Sequence, residues 1–343
     1  MAAVLVVGAG VTGLLTAIEC ALAGHRVTVL DRGDIPNPSS TSFDQHRAIR
    51  TLDPAGAAPT RRMVAAHHRW LELEALLGTS FYRRVGVVTA WPQDRVGEVT
   101  GIAADAGAPV TTVTPDALPH LGFPAGTAGV FEVYAGVLLA DRVLRSAASW
   151  LARHPAVTLR PGCEVTSADV HSGQVTLADG TTLGADLVMV AAGPWSADLV
   201  ELPVVLHRQI MVYLRPPANL AHWWENAPAA GRLGADGRAW LLPPGAGTFL
   251  KISSDAVCRT GDDSGDNSGD TARLLASSIV SDVDSYTVVA VKPCHYATSA
   301  SGGAVFERVG PAAWSRAACG GNGFSTAPLV AAQIVESMTA EAA

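Results

Sequence analysis

Ala3-Val4-Leu5-Val6-Val7-Gly8-Ala9-Gly10-Val11-Thr12-Gly13 decides the fold of this chain. Five apolar residues in a row, with no polar alternation, predict a strand buried on both faces of a parallel sheet. The glycines follow at once in the pattern G-x-G-x-x-G. Leu14, Leu15, Ile18, Ala21 and Leu22 then recur at helical spacing, Gly24 supplies a stop, and Val27-Thr28-Val29-Leu30-Asp31 reads as a second strand. Strand, glycine turn, helix and strand make a βαβ unit. In it Gly8 permits the tight turn, Gly10 lets the backbone approach a pyrophosphate, and Gly13 lets helix and strand pack closely. Val11 and Thr12 open a helix whose N-terminus carries partial positive charge for a diphosphate. Asp31 stands 18 residues past Gly13 and can accept both hydrogen bonds from a ribose diol. An acid there favours FAD or NAD over a 2′-phosphorylated dinucleotide.

Composition sets the outer limits. The chain has 343 residues, 48% hydrophobic and 16% charged, enough to bury a large core and too apolar for disorder. Net charge is −7 and no block of basic residues occurs, so neither a nucleic-acid partner nor an anionic membrane surface is expected. Five cysteines (Cys20, Cys163, Cys258, Cys294, Cys319) are scattered without C-x-x-C or zinc spacing, which points to a reducing, cytoplasmic setting. His67-His68, His207 and His222 lack metal-ligand spacing, and no metal is expected. Met1 to Ile18 lacks the basic start of a signal peptide, and the glycines interrupt it. Of the 24 basic residues only Lys251 and Lys292 are lysine, so each marks a place where a compact, titratable ammonium is wanted, or simply chance.

Further along, a Pro/Ser/Asn loop spans Ile35 to Ser42, and Thr60 to Leu77 predicts a long helix. Residues 81–91 read as a strand, Asp141 to His154 as a helix, and 157–160, 163–170 and 173–178 as short strands. Asp186 to Gly193 is another buried strand ending in glycine. Residues 201–295 are β-rich, with a solvated hairpin tip expected over Gly261 to Asp270, and Ala327 to Met338 reads as a helix. The parallel pattern breaks after Asp31, unlike a six-strand NAD domain. Interleaving of nucleotide-binding and β-rich segments is the habit of flavoproteins. The expected fold is therefore α/β, in an α+β two-domain arrangement. A Rossmann-like FAD-binding domain (1–77, 137–200 and 296–343) is interleaved with a β-rich substrate domain (78–136 and 201–295).

On these motifs the chain resembles the D-amino-acid-oxidase-type superfamily of FAD enzymes, and within it the sarcosine oxidase and N-methyltryptophan oxidase group. The resemblance rests on the N-terminal fingerprint, the Arg47/Arg50 segment, Tyr134 to Leu138, Ala191 to Trp195, and the cluster Gly320-Gly321-Asn322-Gly323. Phe249-Leu250-Lys251 matches the strand carrying the group's flavin-facing lysine. Lys292-Pro293-Cys294-His295-Tyr296 matches the segment whose cysteine is bonded to the flavin. The resemblance implies FAD held by Gly8, Gly10, Val11, Thr12, Gly13, Asp31, Arg32, Ser42, Arg47, Val165, Ala192, Gly193, Trp195, Gly320, Gly321, Asn322, Gly323, Phe324 and Ser325. It also implies a covalent bond through Cys294, although a free cysteine is commonly just a small buried residue. Arg50 is the implied clamp for a substrate carboxylate, as a planar fork suits. Lys251 is the implied cation beside the flavin. Held about 4 Å from developing negative charge, it would be worth roughly 4 kcal/mol at an effective dielectric near 20.

Departures stand beside these matches. The group's second carboxylate lysine is Ser325 here, its substrate-side histidine is Asp255, a histidine pair in the flavin loop is Ser42-Phe43, and an active-site tyrosine is Trp240. Lys251, Arg50, Asp255 and Trp240 are the candidate catalytic residues. The expected activity is FAD-dependent oxidation of a C–N bond in a cyclic or bulky amino or imino acid, with O₂ as acceptor and H₂O₂ as product. An amine dehydrogenase using another acceptor, and a flavin-binding protein without turnover, remain as alternatives.

Overall fold

The opening apolar run forms the strand Ala3–Val7, which pairs in parallel with Arg26–Leu30 on one side and Leu187–Val190 on the other. The structure is a computed structural model and describes residues 1–261 and 265–342. Across the six-stranded sheet the order is 305–310, 313–318, 187–190, 3–7, 26–30, 157–160, all parallel except the first. One face is covered by the helix Val11–Leu22, which packs on the helices Ala140–Arg153 and Gly323–Ala342. Leu14, Ile18, Val29, Met189, Ala327 and Ile334 are fully buried there. The other face carries the small sheet of Val165–Asp169, Gln174–Leu177 and Thr182–Gly184, which seals Leu5, Val7, Leu30 and Val188. Cover on both faces is why the first strand has no polar alternation. Each large aliphatic side chain so buried contributes about 1.5–3 kcal/mol.

Gly13 shows how tight the strand–helix contact is. A Cβ there would lie 1.9 Å from the Gly8 carbonyl oxygen, closer than any packing allows. At Gly8, whose φ is +98°, a Cβ would press on the Ala191 backbone at 2.5 Å.

The second layer is a nine-stranded, mostly antiparallel sheet. Its spine runs Val205–Arg215, Leu250–Ser254, Ala239–Leu242, Ala229–Leu233, Val87–Pro92 and Thr127–Glu132, and the long strand Thr287–Thr298 pairs along the free edge of Val205–Arg215. Partners in an antiparallel ladder point to the same face. The pairs Tyr213/Lys251, Ser253/Trp240, Met211/Lys292, Gln209/Cys294 and His207/Tyr296 follow each other at steps of two, so all ten share one face.

Most expected elements appear within a few residues of their predicted bounds. The C-terminal helix begins earlier than expected, at Gly323, and takes in Phe324 and Ser325. Part of the expected hairpin tip over 261–270 lies outside the described residues. Its end is helical, Ser268–Leu275, with Asp270 buried in the first turn, where an acid suits the helix N-terminus, and paired with Arg259. Among the described residues no helix is long and apolar enough to cross a membrane.

Candidate active site

The sheet face bearing Lys251 and Cys294 is closed by residues 39–49, the loop after the second strand and the short strand Arg47–Ile49. Several bonds tie it down, three of them away from its centre. Thr41 Oγ1 donates to the His295 carbonyl (2.8 Å), Phe249 N–H donates to Gln45 Oε1 (2.7 Å), and Lys292 Nζ donates to the Phe43 carbonyl. A small crevice remains between loop and sheet, lined among others by Thr41, Asp44, Arg47, Trp195, Met211 and Cys294.

Asp44 sits at the centre of this closure. Its Oδ2 accepts from Lys251 Nζ (2.5 Å) and Arg47 Nη1 (2.6 Å), and its Oδ1 accepts from the Tyr213 hydroxyl (2.5 Å) and the Gln45 N–H (2.7 Å). Four donors use about all the lone-pair capacity of one carboxylate. Burial alone would raise the pKa of Asp44, but the charges of Lys251 and Arg47 outweigh it and hold the group ionised, well below the usual carboxylate range. Lys251 is wholly buried, and burial followed by repulsion from Arg47 pushes its pKa down to about 8. Its ammonium also donates to the His46 carbonyl (3.3 Å) and lies 5.5 Å from the Trp240 ring centroid. His46 has its pKa pushed down to about 3, first by burial and then by Lys251, so it is neutral and its Nε2–H donates to the Pro243 carbonyl (3.1 Å).

Arg50 is oriented from behind. Glu132, fully buried, accepts Arg50 Nε (3.0 Å) and pairs with Nη2 (2.9 Å), while its other oxygen accepts the N–H groups of Thr51 (2.6 Å) and Leu52 (2.8 Å). Arg50 Nη2 also donates to Thr89 Oγ1 (3.2 Å). Nη1 has no hydrogen-bond partner among the described residues, and the side chain is 32% exposed, so one edge of the fork is open to a ligand.

The sequence-predicted residues divide accordingly. Lys251, Trp240, Arg47 and Cys294 come together, and Arg50 reaches the same sheet through Thr89. Asp255 lies beyond the strand end, exposed, with its carbonyl accepting from Arg238 (2.9 Å). It is near enough to add to the burial and the Cys258 contact that raise the Tyr296 phenol. Arg32 stacks on Trp195 at 4.5 Å, next to the crevice. Gly320 joins the glycine cluster to the Cys294 strand, its N–H donating to the Ala297 carbonyl (3.1 Å). Ser325 Oγ donates to the Ala48 carbonyl (3.3 Å). Phe324 turns into the core, its ring stacked on Trp70, and Val165 packs under the first sheet. Asp44, Tyr213, Glu132 and His46 were not singled out by the sequence. A signal existed for Asp44, an acid three residues before Arg47. Glu132 gave none, because its partner Arg50 is 82 residues away.

The fold and the glycine fingerprint define a dinucleotide-binding protein. Residues 3–337 match the family described as DAO, FAD dependent oxidoreductase; the chain belongs to that family, and FAD is its dinucleotide. It is similar to peroxisomal sarcosine oxidase of Mus musculus (26% identity, covering 66% of this chain and 58% of the relative). It is also similar to glycine oxidase of Pseudomonas putida (31% identity, 59% of each). The chain thus spans less than three-fifths of either curated relative. The fructosyl amine oxidoreductase Amadoriase I of Aspergillus fumigatus shares the fold, with a TM-score of 0.78 at 17% identity over 99% of this chain and 86% of that one.

The residues present fit FAD. The helix Val11–Leu22 starts at Gly10 with no cap from that residue's own side chain, and a Cβ at Gly10 would crowd Ser42 Oγ at 3.1 Å, so glycine keeps the turn bare where a phosphate would approach. Val11 N–H donates to that same hydroxyl (3.1 Å). Asp31 accepts from Ala9 N–H (2.8 Å), Gly33 N–H (2.9 Å) and Asn37 Nδ2 (2.9 Å). About one lone-pair site is left for a ribose hydroxyl, fewer than the two the sequence allowed.

Proposed function

We propose that this protein is an FAD-dependent oxidase of a C–N bond in an amino or imino acid, passing electrons to O₂ and releasing H₂O₂. The observation that carries the reading is Lys251, wholly buried yet held in an ion pair, on the sheet face shared with Cys294 and Trp240. FAD, held by the glycine turn, Asp31 and the crevice residues, would supply a two-electron acceptor for the substrate's hydride and a donor for oxygen.

The chain's own residues do the rest. Arg50, braced by Glu132, receives the substrate carboxylate on its open edge. Trp240, on the same sheet face as Lys251, offers a flat apolar surface that suits a cyclic or bulky amine. Ionised Asp44 has its lone pairs taken by four donors, and neutral His46, whose Nδ1 is without a partner, is a weak base with its pKa pushed down to about 3; the pair offers no strong base, which fits a substrate that arrives as the neutral amine. Lys251 places positive charge where negative charge develops as oxygen is reduced. Cys294 sits in the crevice as the residue to bond the flavin. A division into an FAD-binding domain (1–77, 137–200, 296–343) and a substrate domain (78–136, 201–295) is supported by the six-stranded sheet, whose strands all fall in the first set, although the small sheet of Arg47–Ile49, Tyr82–Arg83 and Gly136–Leu138 and the strand Thr287–Thr298 cross its boundaries.

A second reading, a dehydrogenase using another acceptor, is favoured by one observation: Asp44 offsets part of the Lys251 charge. Oxygen uptake and peroxide formation with a panel of secondary and cyclic amino acids test the choice. Uptake with matching peroxide supports the oxidase. Flavin bleaching without oxygen uptake supports the dehydrogenase, and no bleaching by any amine overturns both.

A further inference from the structure

Arg316 lies inside the strand Ala313–Ala318 and is 4% exposed. Its Nη1 donates to Thr12 Oγ1 (2.8 Å) and to the Gly323 carbonyl (3.2 Å), and its Nη2 donates to Thr326 Oγ1 (2.6 Å). Its Nε–H is buried without a partner. No carboxylate pairs with it among the described residues, and the one titratable group that acts on it is the thiol of Cys319.

The surroundings make this charge harder to hold. Thr12 is in the first turn of the helix Val11–Leu22, and Gly323 and Thr326 are in the first turn of Gly323–Ala342. Both helices bring the positive ends of their dipoles to the guanidinium. Three positive sources meet in a buried place with no counter-charge, a strongly unfavourable arrangement unless an anion joins them. One of the two helices begins at the glycine fingerprint. The arginine belongs to a parallel strand of the same sheet, and in such sheets ligands bind beyond the carboxyl ends of the strands.

We infer that Arg316 is the counter-cation for the diphosphate of the bound dinucleotide, joining the two helix N-termini and the free Nε–H into one anion site. The inference rests on the dinucleotide-binding reading of Gly8 to Gly13. A guanidinium suits a diphosphate because it offers several donors in a fixed plane. The competing role is a purely structural tie between two helices.

The test uses the full chain with Cys294→Ala, so that flavin is exchangeable, with and without Arg316→Met. Affinities for FAD, ADP and adenosine are measured by fluorescence titration, and the flavin-free thermal midpoint is recorded alongside. The expected result is a loss of about ten- to a hundredfold in FAD and ADP affinity, the worth of one charge-assisted contact. Adenosine affinity stays unchanged, and the flavin-free midpoint is unchanged or raised. Arg316→Lys retains part of the ADP affinity. Unchanged FAD and ADP affinity overturns the inference, as does an equal loss for all three ligands with a lowered flavin-free midpoint, which a structural tie predicts. A Cys294→Ala parent that binds neither FAD nor ADP would sink the dinucleotide reading itself.

Discussion

Asp44 and Lys251, 207 residues apart in sequence, form a buried ion pair with Oδ2 2.5 Å from Nζ. Removing one partner of such a pair leaves an uncompensated charge and costs about 3–5 kcal/mol, more than the net worth of the pair. Asp44→Asn is therefore expected to lower stability by about that much in denaturant unfolding. Asp44→Asn combined with Lys251→Met should recover a large part of it. With Lys251→Met measured alone as well, a double-variant loss equal to the sum of the two single losses would show that the two groups are not coupled.

The pH dependence follows from the lysine. With its pKa lowered to about 8, Lys251 is a cation below that value and neutral above it. The rate at which the reduced protein reacts with O₂ should be highest below about pH 8 and fall as pH rises through it. Lys251→Met should be slower by between about tenfold and a thousandfold, the upper figure matching roughly 4 kcal/mol, and should have no step near pH 8. A step that persists in Lys251→Met belongs to another group.

Much of this was legible early, and the reasons are local. Strand, glycine turn, helix and Asp31 are fixed within 31 residues by spacing alone, and the structure places Gly13 against Gly8 as that reading requires. Lys251 stood out because lysine is scarce. Its partner did not, because nothing near position 251 hints that a loop some 200 residues earlier delivers a carboxylate to it. Arg316 was not singled out by the sequence, and its lack of a carboxylate partner among the described residues appears only when the sheet is assembled. Asp255 was placed at a substrate position by the resemblance alone, but the strand ends at Ser254 and leaves it exposed.

Glu132 acts through Arg50. Glu132→Gln keeps the shape and removes the charge that orients the guanidinium, so KM for a carboxylate-bearing substrate should rise about tenfold or more while kcat changes less. A substrate amine without a carboxylate should show no such rise. Loss of kcat alone, with KM unchanged, would place Glu132 outside substrate binding.

Cys294 points from the sheet face into the crevice beside Arg47 and Trp195. Acid precipitation of the purified protein should leave the flavin in the pellet, and Cys294→Ala should release it to the supernatant. Flavin already free in the parent protein would rule out the bond.

The central claim is that electrons taken from an amine leave to oxygen. The most direct measurement reduces the protein with substrate under anaerobic conditions and then mixes it with air-saturated buffer in a stopped-flow instrument. The account predicts prompt return of the oxidised flavin absorbance with one H₂O₂ per flavin. Flavin that stays reduced in air but is reoxidised at once by an artificial electron acceptor would contradict it.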